Sequence, residues 1–162
     1  MTRLGFLSPW NAAPGVALAS PLAHAQGPGI DDVSQLGKLE LRGALDRFAP
    51  APGEELVRTA PARALLVTEG SPAAALERAR AAGLRAYDLT AALAAFELEG
   101  EDALRRLTDA DPASLPAACA VARGVRAVVQ PRGGGRYRIF VPQELGLYAA
   151  EVALDVLRGL GR

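Results

Sequence analysis

Short stretches that alternate apolar and polar residues, cut by glycine and proline and interleaved with brief helical stretches, constrain this chain most. Leu36 to Arg42 sets Leu39 and Leu41 against Lys38, Glu40 and Arg42, and Gly43 ends the strand. Ala49-Pro50-Ala51-Pro52-Gly53 reads as a turn or short surface excursion, and Ala62 to Thr68 as a second, mostly apolar strand. Ser71 as N-cap, Pro72 at the first helical position and Gly83 at the exit predict a helix over 72–82. Leu84 to Leu89 and Ala94 to Glu99 follow as strands, then a helix over 101–108 with Glu101 and Asp102 at its positive end. Ala118 to Arg123, Val125 to Gln130 and Arg136 to Val141 read as three further strands. A last helix over 143–159 carries Leu145, Tyr148, Val152 and Val156 at helical spacing. Local hairpins mixed with crossovers make this an α+β pattern with antiparallel or mixed sheets, not a doubly wound sheet.

Residues 1–29 read as an extended arm, because Pro9, Pro14, Pro21 and Pro28 break any helix, and residues 30–162 as the folded domain. Arg3 and Ala23-His24-Ala25 invite a secretion-signal reading. Ser8, Pro9, Asn11 and Pro14 interrupt the apolar run that such a signal needs, so a cytoplasmic protein is expected. No stretch approaches membrane-spanning length. Half the residues are apolar but aromatics reach only 5%, so the core should be thin and alanine-rich. The formal net charge of +0 and the scattered basic residues give no stripe for nucleic acid and no basic helix for a membrane.

The residues able to do chemistry are few. One cysteine, Cys119, and one histidine, His24, exclude an internal disulfide and a Cys/His metal site, and His24 reads as a surface or packing residue. Cys119 would share a strand face with Arg123, but its setting in Pro116-Ala117-Ala118-Cys119-Ala120-Val121 suits a small buried thiol better than an activated one. Gly133-Gly134-Gly135 lies between two predicted strands rather than before a helix, so it reads as a hairpin turn and not a phosphate loop. Alternation places Glu97 and Glu99 on one strand face, read as solvated. Asp88 and Thr90 are placed to tie down the turn after their strand. No catalytic residue and no metal ligand set is assigned.

From Tyr87 onward the residues follow a known order. Asp88-Leu89-Thr90 leads to Phe96-Glu97-Leu98-Glu99-Gly100-Glu101-Asp102-Ala103, then Leu104, Leu107 and an Asp111-Pro112 turn. Arg136-Tyr137-Arg138-Ile139-Phe140-Val141 then precedes a helix carrying Tyr148. Upstream stand Ser20-Pro21-Leu22-Ala23-His24, Leu39-Glu40-Leu41-Arg42-Gly43 and Ala64-Leu65-Leu66-Val67. This order resembles the folate-binding superfamily of the glycine-cleavage T-protein, and within it the gamma subunit of heterotetrameric sarcosine oxidase. The resemblance covers most of residues 20–160. It implies a module like the T-protein's N-terminal part, with ferredoxin-like βαβ elements.

The departures bear on function. Thr59-Ala60-Pro61-Ala62-Arg63 stands where the gamma subunit usually has a tryptophan-rich stretch, and Thr108-Asp109-Ala110-Asp111-Pro112 where it has Lys-Gly-Cys-Pro. Gly124-Val125-Arg126-Ala127 replaces the T-protein's Gly-x-x-Asp-Asp, and no Asp or Glu occurs between Asp111 and Glu144. The carboxylate that would position an amine is therefore missing. The resemblance implies a non-catalytic accessory subunit of a heteromeric flavoprotein complex in sarcosine catabolism and one-carbon metabolism. Flavins and tetrahydrofolate would sit on larger partner subunits and no cofactor on this chain alone. Two alternatives stay open. One is a stand-alone folate or small-ligand binder, with Arg126, Arg136 and Arg138 meeting the ligand's carboxylates. The other is a self-associating, homodimeric module.

Overall fold

Among the described residues, 20–161 of the computed structural model, nine strands and three helices follow in the order β1 (Ile30–Asp32), β2 (Gly37–Arg42), β3 (Glu54–Ala60), β4 (Arg63–Thr68), α1 (Pro72–Ala81), β5 (Arg85–Asp88), β6 (Leu93–Glu99), α2 (Glu101–Leu107), β7 (Ala117–Val121), β8 (Val125–Gly133), β9 (Arg136–Pro142) and α3 (Gly146–Gly159). The expected arm before Ser20, with Pro9 and Pro14, lies outside the described residues. One sheet has the order β1-β6-β9-β8-β7 and the other β3-β4-β2-β5. Every strand pairing is antiparallel. Because β4 and β5 both flank β2, the segment β4-α1-β5 forms a split β-α-β unit. The architecture is α+β.

Strand alternation decides the layers. Leu39, Leu41 and Leu66 point from the four-stranded sheet to Ala75 and Ala79 of α1. Phe96, Leu98 and Ile139 point from the five-stranded sheet to Leu104 of α2 and to Ala149 and Ala153 of α3. The remaining faces meet each other through Val57, Leu65 and Val67 on one side and Ala95 and Phe140 on the other. The result is helix, sheet, sheet, helix. Inside the expected arm, Leu22 and Ala25 are buried in the core of the five-stranded sheet, while His24 is exposed.

Local chemistry explains the turns. Gly133, Gly134 and Gly135 all have positive φ, and Gly133 pairs with Arg136, so the triple glycine is the tight β8–β9 hairpin expected of it. Asp88 Oδ1 accepts from the Thr90 N–H at 2.8 Å, and Thr90 Oγ1 in turn accepts from the Lys38 N–H at 3.1 Å. Thr108, just past α2, donates its hydroxyl to the Ala120 carbonyl at 2.6 Å, and the Ala122 N–H donates to the Leu107 carbonyl at 2.9 Å.

Several expectations are corrected. Helix α1 starts after Ser71, yet the Ser71 side chain makes no capping bond. Ala122 and Arg123 have φ of 46° and 65° and form the β7–β8 turn with Gly124, so Arg123 does not share a strand face with Cys119. Strands β1 and β3 were not anticipated, because β1 is three residues long and β3 buries only Val57. On α3 the buried residues are Gly146, Ala149, Ala150, Ala153, Leu154 and Leu157, whereas Leu145 and Tyr148 are exposed and Val152 and Val156 half-buried. Small residues let the helix sit close to the sheet; a Cβ on Gly146 would lie 2.7 Å from the Ala94 Cβ.

Candidate functional site

The face between the two sheets carries the polar groups, and it sorts them into three places. At one end, β9 projects Arg136 and Arg138 to the same side, and the facing strands supply acids. Arg138, on a side chain only 7% exposed, donates through Nη2 to Glu97 at 2.7 Å and lies 3.6 Å from Glu55 of the other sheet. Arg136 reaches Glu97 at 3.1 Å and also pairs with Asp31. Arg132 pairs with Glu55 and lies 3.5 Å from Glu97, while Gln130 Nε2 donates to Glu55 at 2.6 Å. Burial opposes ionisation of Glu55, but the donors Arg132 and Gln130, with Arg138 nearby, outweigh it and hold its carboxyl below the usual range. The cluster ties the sheets together through charge-assisted hydrogen bonds. Glu97 therefore faces the second sheet and not water, against the expectation of a solvated face; its partner in that expectation, Glu99, is exposed.

Near the start of β2 stands the chain's single lysine. Lys38 is fully buried, and its Nζ donates to the Ser34 carbonyl at 2.7 Å. Burial pulls its pKa down to about 8, with Asp32 and Asp88 resisting.

At the other end the sheets separate into a cleft of about 420 Å³, lined by Glu40, Arg63, Leu65, Arg126, Val128 and Phe140 among others. Glu40 Oε1 accepts from Arg42 Nε at 2.7 Å and lies 2.5 Å from Arg63 Nε. The hydrogen bond from Arg42, opposed by burial and helped by Arg63, keeps the Glu40 carboxyl below its ordinary range. Arg126 stands exposed on the opposite wall.

Of the three arginines singled out in the sequence, the structure brings Arg136 and Arg138 together and places Arg126 apart. Four residues along β8 separate Arg126 from Gln130, the register partner of Arg138, or roughly 13 Å of extended chain. Sequence reasoning missed Lys38, Glu40, Glu55 and Arg132. The available signal was the strict alternation of Lys38, Glu40 and Arg42, which names a polar face but not what covers it.

Chemically the interior carboxylates are arranged to hold guanidinium groups. Glu40, Glu55 and Glu97 are each already engaged by guanidinium groups. Cys119 is half-buried, with the Thr108 hydroxyl 3.7 Å from its Sγ. Among the described residues no cluster of three or more His, Cys, Asp or Glu could hold a metal, and no helix is long and apolar enough to cross a membrane.

No protein-family model and no curated protein matches the sequence. Solved structures do match the fold. A chain of heterotetrameric sarcosine oxidase from Corynebacterium sp. U-96, determined in complex with pyrrole 2-carboxylate, superposes with a TM-score of 0.73 at 18% identity, over 90% of this chain and 97% of that one. The glycine cleavage system aminomethyltransferase T from Bartonella henselae matches with a TM-score of 0.56 at 14% identity, over 78% of this chain and 45% of that enzyme. This chain thus spans about half the length of the aminomethyltransferase and nearly the whole of the oxidase chain. Its fold is that of the sarcosine oxidase chain, and it is shared in part with the aminomethyltransferase.

Proposed function

We propose that this chain is a non-catalytic accessory subunit of a heteromeric, sarcosine-oxidase-like flavoprotein complex. The observation that carries the reading is the extent of the structural likeness, 90% of this chain and 97% of a chain from a heterotetrameric oxidase. The counterpart is a whole chain of a multi-chain enzyme, not a fragment of one. The interior supports a holding role, because its carboxylates are neutralised by arginines. In this reading the larger partners carry the flavins and tetrahydrofolate, and a thin alanine-rich core gains stability from association.

The test is to express the full chain alone and together with the flavoprotein subunits encoded beside it. The chain alone is expected to be colourless and without amine oxidation. With its partners it should co-elute and unfold at a higher temperature. Stoichiometric flavin on the isolated chain, or tight tetrahydrofolate binding without co-elution, would overturn the proposal in favour of a stand-alone binder. A stable homodimer indifferent to both would favour self-association.

A further inference from the structure

The corner of the four-stranded sheet that opens onto the cleft is basic out of proportion to the rest of the molecule. Arg42 on β2 stands in register between Arg63 on β4 and Arg85 on β5. Strand alternation turns all three to the same side as Glu40. Like charges directly opposite one another across strands repel. Glu40 answers only Arg42 and Arg63, at 2.7 and 2.5 Å, and Arg85 makes no ion pair among the described residues. Across the cleft Arg126 also makes none. Four arginines thus surround this corner, and its one carboxylate answers only two of them, in a chain whose formal net charge is +0. Such a local separation of charge is the arrangement that selects and steers an anionic partner.

The apolar surroundings narrow the kind of partner. Tyr87, the register partner of Glu40, is 45% exposed, with the Arg42 guanidinium 5.5 Å above its ring. Leu89, Leu93 and Val128, each half-buried, give the cleft its reachable apolar lining. Arg42 and Arg63 keep about half of their side-chain surface in water, 49% and 57%. The site therefore runs along an open rim and does not enclose its occupant, as a small-molecule pocket does. Exposed tyrosine and arginine around an apolar trough are the residues that protein interfaces concentrate at their centres.

We infer that this corner is the docking socket for an acidic segment of a partner chain, an Asp or Glu beside an apolar residue. The acidic side chain enters the cleft between Arg63 and Arg126, with Arg85 at the end of the arginine row adding to the attraction, and its apolar neighbour lies over Leu93 and Val128. The inference rests on the accessory-subunit reading and names the surface that the reading requires.

Arg85→Glu and Arg126→Glu test it, since both side chains are exposed and without ion pairs among the described residues, so neither change breaks a salt bridge. Arg158→Glu on α3 makes the same charge change elsewhere. Each variant is purified as the full chain, checked for unchanged unfolding temperature, and titrated with the flavoprotein subunits at low and high salt. Arg85→Glu and Arg126→Glu are expected to weaken binding by about tenfold or more at low salt, with a flatter salt dependence, while Arg158→Glu binds like the natural chain. Undiminished binding by both corner variants, with the natural chain co-eluting, overturns the socket and leaves the accessory-subunit reading standing. Failure of the natural chain to bind removes the reading and the socket together.

Discussion

Lys38→Met should make the isolated chain more stable at neutral pH, although it deletes a hydrogen-bonded buried group. The fall of the Lys38 pKa from 10.5 to about 8 means that the folded state disfavours the ammonium relative to the unfolded chain. A shift of that size corresponds to about 3 kcal/mol. The substitution also loses the donation to the Ser34 carbonyl at 2.7 Å, about 1 kcal/mol net, so a gain of about 2 kcal/mol is expected at pH 7. The pH dependence carries the sharper test. Below pH 8 the amine is protonated in both states and the penalty is complete. Between pH 8 and 10.5 the unfolded chain binds more protons than the folded one, so the natural protein gains stability as pH rises through that window. The advantage of Lys38→Met should therefore shrink from pH 8 upward, as read from urea unfolding of both chains at matched pH values. A variant less stable than the natural chain at pH 7, or a difference that stays flat across the window, would refute the reasoning. Either result would show that Asp32 and Asp88 offset the cost of burial or exceed it.

Glu97→Ala should destabilise the chain by about 3–5 kcal/mol, because it leaves Arg138 buried with only the longer contact to Glu55; chemical denaturation at pH 7 measures it. Gly146→Ala should cost about 1–3 kcal/mol, since its Cβ would lie 2.7 Å from that of Ala94. Ala94→Gly in the same chain should recover part of that loss in a thermal melt. Cys119→Ala should change stability by no more than about 1 kcal/mol and leave co-elution with partners intact, because the half-buried thiol contributes packing only.

The sequence disclosed elements more readily than it disclosed what faces them. Gly43, Gly83, Gly100 and the triple glycine mark real boundaries, because each needs a backbone conformation that other residues adopt at a cost. The periodicity of β2 and β6 was equally plain. Which side of those strands met water was not, since a second sheet covers the face that bears Lys38, Glu40 and Glu97. In an alanine-rich chain the core face of a helix is also disguised. Leu145 just before α3 and Tyr148 on it are exposed, while Ala149, Ala150 and Ala153 pack inward. Strand β3 escaped notice because its pairing with β4, and not its own hydrophobicity, holds it in place. The candidate arginines were legible as residues, but their partners come from strands distant in sequence, such as Glu55 for Arg132 and Arg138.

The bond from Thr108 to the Ala120 carbonyl has a consequence for how this molecule meets other chains. Strand β7 ends the five-stranded sheet and reads Ala-Ala-Cys-Ala-Val, without a charge, a proline or a bulge to discourage another strand from annealing to it. The carboxyl end of α2 acts there as a stopper, with Thr108 occupying the Ala120 carbonyl and Leu107 the Ala122 N–H. Part of the templating row of backbone groups is spent within the chain, and the margin that would invite fibrous stacking is left short.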